Sequence, residues 1–319
     1  MIAIDKAQVD KIIKKRNTEL KRQHNRAYDK LEKLKKNNIL SHKESHILRR
    51  ILRGFKKFSL VTLSINEMVN LSEEIGIMPK TPKRKFAGKN SKTFLKDEIL
   101  KALGYETKRG SFYPEYFSEL GIKSCVYCNS QLTLSLKKEK IGTKKKYIAK
   151  FQVDHYYPKA KYPYLSIALF NLYPTCASCN NAKKDDDIQF QLYQERHEIN
   201  HNLMGFELDQ AQKSKFLVTR ESREIEYTFF NKTCPEYDEK FHITEIYKSQ
   251  KDVAEDIILK SQTYDKNLRK QLKKFENIND AHIDRIILGN YTNPNEIHKR
   301  PMAKFMQDIA REAGLKISL

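Results

Sequence analysis

The sequence predicts a mainly α-helical protein with a small α+β module embedded near the middle of the chain. Apolar residues recur at helical spacing through most of the first 120 residues and again from residue 243 onward. Between residues 132 and 153 they alternate with polar residues, as in half-buried strands. Two Cys-x-x-Cys pairs flank this alternating stretch. We therefore expect helices on both sides of a compact module that a metal ion stabilises.

Charge divides the chain into three regions. Basic residues outnumber acidic ones 28 to 12 in residues 1–110 and 12 to 7 in residues 111–190. These two regions account for the whole net charge of +21, so residues 191–319 carry no net charge. A surplus confined to one stretch favours a polyanionic partner, and nucleic acid is the leading candidate. The three regions are expected to be a basic helical DNA-facing region, the α+β module, and a mainly helical region for packing, partner docking or dimer formation.

The first region is expected to form successive helices. The pattern favours helices over 5–36, from Ser41 or Ser45 onward, over 92–103 and over Pro114–Leu120. Serine at the start of a periodic stretch is a typical N-cap, whereas Gly54 weakens the second helix and Gly104 ends the third. Pro79 and Pro82 mark a linker.

The module begins after Cys128. Leu132, Leu134 and Leu136 alternate with polar residues, Gly142 follows in a turn, and Tyr147–Val153 alternates again. This pattern predicts a β-hairpin whose second strand continues into Asp154 and His155.

The third region carries weaker patterns. A second strand pair is expected at Phe216–Thr219 and Glu224–Phe230. Residues 243–275 and 301–313 are expected to be helical, and the latter helix ends at Gly314.

Four of the five cysteines form the pairs Cys125/Cys128 and Cys176/Cys179. Two intervening residues let both sulfurs of a pair face one metal ion, and tetrahedral zinc is the expected occupant. A single pair could be a redox site, but two pairs separated by 47 residues are specific for metal ligation. Four thiolates leave no open position for water, so this zinc is expected to be structural. Cys234 is expected to be an ordinary thiol.

Hydropathy and cysteine usage indicate a compartment. The mean hydropathy is −0.72 and no apolar run reaches the length of a membrane span. Cysteine pairs of this kind fit a reducing cytosol better than a disulfide framework. We therefore expect a cytoplasmic protein without a signal peptide or membrane partner.

The residues suited to chemistry lie between and after the cysteine pairs. They are Asp154-His155 followed by Pro158-Lys159, then Asn171, then Asn180 and Lys183 directly after Cys176-x-x-Cys179. The order Asp-His-x-x-Pro, Asn, Cys-x-x-Cys-Asn-x-x-Lys resembles the HNH endonuclease family, in the subgroup whose third motif residue is Asn. The resemblance covers residues 120–190. It implies a ββα-metal nuclease core, in which a β-hairpin, an ordered loop and an α-helix surround one divalent cation.

The resemblance also implies a role for each motif residue. Hydrolysis of a phosphodiester needs a deprotonated water and neutralisation of charge on the phosphate oxygens. His155 matches the general base, since an imidazole titrates near neutrality. Asp154 and Asn180 match the ligands of Mg²⁺ or Mn²⁺, which prefer hard oxygen atoms. Asn171 matches the residue that holds the loop and orients the histidine.

Three lysines near the motif are candidate phosphate contacts: Lys159, Lys183 and Lys184. Lys183 matches the helix lysine of the family, and a solvated helix lysine is the alternative interpretation.

These patterns together favour a metal-dependent DNA endonuclease. HNH modules with paired Cys-x-x-Cys motifs are similar to nuclease subunits of prokaryotic anti-phage systems such as Septu, which work beside an ATPase. The resemblance thus implies an ATPase partner, which the neutral residues 191–319 are expected to dock unless they bind a second copy of the chain. Homing and restriction enzymes are the nearest alternatives within the enzyme class. Two further alternatives are a zinc-stabilised nucleic-acid-binding protein that does not cut and an effector that degrades RNA.

Overall fold

The computed structural model describes residues 1–86, 91–141, 144–186, 188, 190–264, 266–274 and 279–317. Helices predominate in these residues, and their strands pair into small two-stranded sheets. The prediction of a mainly helical chain with a small β component is therefore confirmed.

Most described residues of the N-terminal region are helical. Its helices are α1 (Lys6–Lys15), α2 (Asn17–Lys35), α3 (His42–Lys57), α4 (Ile65–Ile75), α5 (Leu95–Leu103), α6 (Tyr105–Arg109) and α7 (Phe112–Glu119). The single long helix expected over 5–36 is wrong, because the chain breaks at Arg16 between α1 and α2. The guanidinium of Arg16 contacts Glu19, Glu115 and Glu119, which ties the break to α7.

Local capping signals explain where α3 begins and why it continues past its glycine. Ser41, one of the two serines predicted as candidate N-caps, caps α3 in a capping box with Glu44. Gly54 lies inside the helix instead of ending it. A Cβ at this position would lie 2.6 Å from the Leu71 side chain, so the glycine permits close packing of α3 on α4.

The module contains two antiparallel strand pairs. The strands among the described residues are β1 (Ile4–Asp5), β2 (Leu134–Ile141), β3 (Lys144–Lys150), β4 (Gln152–His155), β5 (Leu172–Thr175), β6 (Tyr193–Gln194), β7 (Met204–Leu208) and β8 (Tyr227–Asn231). The expected hairpin is present as β2 and β3, and its expected turn residue Gly142 lies outside the described residues.

The expected continuation of that hairpin into Asp154 and His155 is wrong. The chain bends at Phe151, whose ring packs edge-to-face on Phe117 of α7 at 5.4 Å. After the bend, β4 pairs with β5 instead, so that Asp154 faces Tyr173 and His155 faces Leu172. The strand that carries the motif is therefore paired with a strand from beyond the 156–171 loop.

A short helix completes this unit. Helix α8 (Ala177–Lys183) follows β5 at once, with Cys176 as its N-cap. The chain order is thus strand β4, the 156–171 loop, strand β5 and helix α8.

The C-terminal region corrects one strand prediction. Residues Phe216–Thr219 are helical, because α9 (Gln210–Thr219) begins at Asp209, whose carboxylate accepts hydrogen bonds from the first-turn amides. Phe216 is buried whereas Val218 is 85% exposed, although the two would share one face of a strand. The predicted strand over Glu224–Phe230 overlaps β8, which pairs with β7.

The remaining helices pack around this sheet. They are α10 (Glu236–Phe241), α11 (Ile243–Lys248), α12 (Lys251–Thr263), α13 (Lys266–Leu272), α14 (Asp280–Leu288) and α15 (Ala303–Ala313). Helix α15 ends at Gly314 in the left-handed conformation, as predicted. Its Phe305 contacts Phe206 and Tyr227 of the sheet at ring separations of 5.0 Å.

In the part of the chain that the structure describes, no helix combines the length and apolar character needed to cross a membrane.

Candidate functional site

The two cysteine pairs meet in space. Cys125 and Cys128 lie on the turn between α7 and β2, while Cys176 and Cys179 lie at the start of α8. Their four sulfur atoms all fall within 4.8 Å of one another. Zn–S bonds of about 2.3 Å would place tetrahedral ligands about 3.8 Å apart, so only a small contraction is needed. The predicted grouping is confirmed, and this cysteine cluster could hold a metal ion such as zinc.

The turn that carries the first pair is fixed by an asparagine that the sequence interpretation missed. Asn129 has a φ of 52°, a left-handed conformation that asparagine tolerates better than most residues. Its backbone amide donates to Cys125 O at 2.9 Å, and its side chain donates to Ser124 Oγ at 2.8 Å. Its side-chain oxygen accepts from the Lys304 amide at 3.0 Å, which joins the turn to α15. An asparagine directly after Cys-x-x-Cys was the signal available in the sequence.

The surroundings of the cluster favour a cation. Burial raises the pKa of the Cys125 thiol well above its ordinary value, so a thiolate there requires positive charge nearby. Ser130 Oγ donates to Cys128 Sγ at 3.2 Å, and the Cys179 amide donates to Cys176 Sγ at 3.5 Å. Both contacts place hydrogen-bond donors against sulfur atoms of the cluster, and such donors favour the thiolate form.

His155 lies at the end of β4 with a fixed ring orientation. Its Nε2 atom lies 3.2 Å from the carbonyl oxygen of Ser166, and a carbonyl can only accept, so Nε2 carries the proton. Burial lowers the pKa of His155 to about 3, with Lys159 adding to this effect. The imidazole is therefore neutral near pH 7, and Nδ1 is left as a proton acceptor.

A tyrosine from α6 forms one wall beside this histidine. The ring of Tyr105 lies 5.2 Å from the His155 ring, and its hydroxyl donates to Val153 O at 3.5 Å. Lys159 Nζ lies 5.4 Å from the same tyrosine ring. Nothing in the sequence pattern connects residue 105 with residue 155, and this contact was not predicted.

Asp154 is held on one side only. Its Oδ2 atom accepts from the Tyr127 hydroxyl at 2.6 Å and lies 3.3 Å from Lys183 Nζ. Its Oδ1 atom has no hydrogen-bond partner among the described residues. The carboxylate therefore has one oxygen fixed and one available.

Lys183 does not lie where its predicted phosphate contact requires. Its side chain is 1% exposed, and Nζ donates to His155 O at 2.9 Å besides its contact with Asp154. The ammonium group thus points into the protein and binds both ends of the Asp154-His155 dipeptide. This geometry corrects the prediction, because the lysine holds the motif strand against α8 and does not face solvent.

Asn171 ties together the two ends of the 156–171 loop. Its Oδ1 accepts from the Tyr157 amide at 2.7 Å, while Nδ2 donates to Leu165 O at 2.9 Å and Tyr157 O at 3.3 Å. The same loop supplies the Ser166 carbonyl that binds His155. Asn171 thereby acts on the histidine through the loop.

Asn180 approaches Asp154 from α8. Its Nδ2 donates to Gln152 Oε1, a residue on the same face of β4 as Asp154. With Nδ2 directed at Gln152, the Oδ1 atom of Asn180 is the atom available to a ligand. Gln152 was not singled out from the sequence, although its position two residues before Asp154 places it on the same face.

These groups surround one cleft with a volume of about 350 Å³. Its lining residues are Asp154, His155, Pro158, Lys159, Asn180, Asn181, Lys184 and Asp185. The structure thus brings together Asp154, His155, Asn180, Lys159 and Lys184. Asn171 lies behind the cleft.

The donor set of the cleft fits a hard divalent cation. A carboxylate oxygen without a protein partner and an amide oxygen are the ligand types that Mg²⁺ and Mn²⁺ prefer. Asp185 at the rim adds a second carboxylate. Lys183 offsets part of the negative charge of Asp154, which indicates a site of modest affinity.

The cysteine cluster and the cleft are the two candidate functional centres of the chain. Comparisons with protein-family models, with curated proteins and with solved structures found no match. The function of both centres is therefore inferred from their own geometry and chemistry.

Proposed function

We propose that this protein is a metal-dependent DNA endonuclease that hydrolyses phosphodiester bonds in the cleft. One observation carries the proposal: Asp154 and His155 from β4 and Asn180 from α8 line the same cleft, and the ring of His155 is oriented by the Ser166 carbonyl. A base with a fixed tautomer beside a pair of hard oxygen ligands is the arrangement that metal-assisted hydrolysis needs.

The roles of the side chains follow from their contacts. Neutral His155 would accept the proton of the attacking water at Nδ1, and the Ser166 carbonyl would stabilise the imidazolium that forms. Lys159 and Lys184 line the cleft and would contact the phosphates of the substrate. A Mg²⁺ or Mn²⁺ ion held by Asp154 and Asn180 would supply neutralisation of the phosphate charge.

The solvent face of α3 supports binding of a nucleic-acid backbone. Its exposed cations are Lys43, Arg49, Arg53, Lys56 and Lys57, and they span about 21 Å of helix. The only acidic residue of α3 is Glu44, which is buried and paired with Arg84 at 3.0 Å. The segment after α3 reaches the 156–171 loop, where the Leu169 amide donates to Val61 O at 2.9 Å. A duplex lying along α3 would therefore lie near the loop that borders the cleft.

The double variant Arg49→Ala/Arg53→Ala tests this surface. It is expected to weaken DNA binding by a similar factor for all sequences, because phosphate contacts carry no sequence information. The slope of log K against log salt concentration should fall by about 1.8, which is about 0.9 for each lost phosphate contact. Fluorescence anisotropy at several salt concentrations measures both quantities. Lys232→Ala/Lys248→Ala, which removes two exposed cations from the neutral C-terminal region, should leave the slope unchanged.

The direct test of the proposal is cleavage of supercoiled plasmid by the zinc-loaded protein. Nicked or linear product is expected with added Mg²⁺ or Mn²⁺ and none without it, since the divalent ion would neutralise the charge on the scissile phosphate and lower the pKa of the attacking water. Zinc content is measured in the same samples, so that loss of the divalent ion is separated from damage to the cysteine cluster.

Other outcomes would favour the alternatives. Cleavage of RNA in place of DNA under the same conditions would support the RNA-degrading effector. Tight DNA binding without cleavage under any metal condition would contradict the proposal for the isolated chain and support the zinc-stabilised binding protein.

The broader proposal is a role in prokaryotic anti-phage defence beside an ATPase. The resemblance of residues 120–190 and the neutral charge of residues 191–319 support it. A neutral region attached to a basic one suits docking of a partner or of a second copy, because it does not compete for nucleic acid.

A further inference from the structure

One side chain joins the cysteine cluster to the cleft. Tyr127 lies within the first cysteine pair, directly before Cys128, and its hydroxyl donates to Asp154 Oδ2 at 2.6 Å. Tyr127 and Asp154 are both buried, so water does not compete for this hydrogen bond. Tyr127, which belongs to the turn of the cysteine cluster, thus contacts the Asp154 carboxylate that lines the cleft.

The tyrosine is held rigidly from both sides. Its ring stacks on Phe241 of α10 with a centroid separation of 4.4 Å and an interplanar angle of 15°. Its carbonyl accepts from the Tyr237 hydroxyl at 2.7 Å. Because Tyr127 belongs to the Cys125–Cys128 turn, a shift of that turn would also displace its hydroxyl.

We propose that Tyr127 is a positioning residue through which the cysteine-bearing turn sets the orientation of the Asp154 carboxylate. With Tyr127 and Lys183 both on Oδ2, the carboxylate presents Oδ1 to the cleft. This inference rests on the proposed function, since it assigns Oδ1 of Asp154 to a divalent cation.

The Tyr127 hydroxyl matters because the other contact of Asp154 Oδ2, with Lys183, is longer. The terminal torsion of an aspartate is broad, so a carboxylate rotates unless hydrogen bonds hold it. Without the tyrosine hydroxyl, the longer contact of 3.3 Å with Lys183 is the one that remains on Oδ2. Partners that orient metal ligands typically change metal affinity or activity by about 10- to 100-fold when they are removed.

Tyr127→Phe tests the proposal, because it removes the hydroxyl and keeps the ring that packs on Phe241. Mn²⁺ binding to the zinc-loaded protein is measured by electron paramagnetic resonance without DNA, and Asp154→Asn identifies the signal that belongs to the cleft. We expect Mn²⁺ affinity and kcat to fall by about 10-fold or more, with KM for DNA, zinc content and melting temperature close to wild type.

Tyr247→Phe is the matched control. Tyr247 is also fully buried, and its hydroxyl donates to Cys128 O at 2.9 Å, so it contacts the same turn without contacting Asp154. Near wild-type behaviour is expected for Tyr247→Phe, and an equal loss in both variants would show that the effect does not require the hydrogen bond between Tyr127 and Asp154 and would overturn the proposal. So would wild-type Mn²⁺ affinity and kcat in Tyr127→Phe.

The wild-type protein separates the two levels of inference. If it binds Mn²⁺ and cuts DNA while Tyr127→Phe does the same equally well, only the positioning role fails. If the wild type neither binds Mn²⁺ nor cuts, the proposed function fails and the role of Tyr127 fails with it.

Discussion

Replacing His155 with alanine is expected to lower DNA cleavage by about 10²- to 10⁴-fold, the usual contribution of a positioned general base. The loss should appear in kcat, because His155 acts on the water and not on the DNA backbone. The cations that line the cleft, Lys159 and Lys184, remain in the variant, so DNA affinity should be retained. Zinc content should also be retained, since no cysteine contacts are removed.

Single-turnover cleavage by His155→Ala and by His197→Ala gives the comparison. The side chain of His197 is 80% exposed and outside the cleft, so its removal should leave the rate unchanged. A His155→Ala protein that cuts at the wild-type rate would remove His155 from the mechanism and leave the cleft without a base.

The pH dependence adds a second readout to the same comparison. A general base acts in its deprotonated form, which is fully present above its pKa and is lost as the pH falls through that value. Since burial lowers the pKa of His155 to about 3, protonation of this residue should not reduce the wild-type rate between pH 7 and pH 5.5. A loss of rate centred near pH 6.5 would indicate a more solvated base than the structure shows.

The parts of the fold that were predictable depend on local chemistry. The N-cap at Ser41 and the left-handed glycines at 104 and 314 act within a few residues, so sequence spacing identifies them. The cysteine cluster was also predictable, because metal ligation restricts which spacings can bring sulfurs together.

The predictions that were wrong concern features that depend on contacts between residues distant in the sequence. The pairing of β4 with β5 is decided by the bend at Phe151 and by its packing on Phe117, which the alternating pattern cannot reveal. The burial of Lys183 is equally nonlocal. From the sequence alone, a lysine on a short polar helix is predicted to be exposed. Lys183 is buried because it pairs with the buried carboxylate of Asp154, which is distant in the sequence.

Residues 216–219 show a third kind of failure. A run of three apolar residues followed by threonine fits a strand and a helix equally well, and length and flanking signals must decide between them. The decisive signal was the N-cap at Asp209, seven residues earlier than the run. Extending the window to that residue would have favoured the helix.

Loss of the metal from the cysteine cluster is expected to have the largest effect on stability. Structural zinc contributes about 10–16 kcal/mol of apparent binding free energy in small zinc-dependent folds, which equals or exceeds the about 5–15 kcal/mol that stabilises a typical domain. The cluster here joins the Cys125–Cys128 turn to α8. The C-terminal region also packs on that turn through Tyr247 and Lys304. Three parts of the molecule would therefore depend on one bound ion.

Cys179→Ser tests this dependence. The variant is expected to lose zinc and to unfold at a melting temperature at least 10 °C lower, because a destabilisation of 1 kcal/mol already shifts the melting temperature by about 2–4 °C in a chain of this size. Thermal unfolding followed by circular dichroism, with zinc quantified in the same samples, measures both effects. Cys234→Ser is the control, since Cys234 is buried like Cys179 but lies outside the cluster.

The comparison decides whether the cluster is structural. A Cys179→Ser protein that lacks zinc yet melts like wild type would show that protein packing alone holds the turn and α8 together. Equal destabilisation by both serine variants would attribute the effect to a polar atom in the core. Destabilisation confined to Cys179→Ser, together with loss of zinc, would show that a bound ion stabilises the fold. Loss of DNA cleavage over the same temperature range would show that cleavage requires that fold.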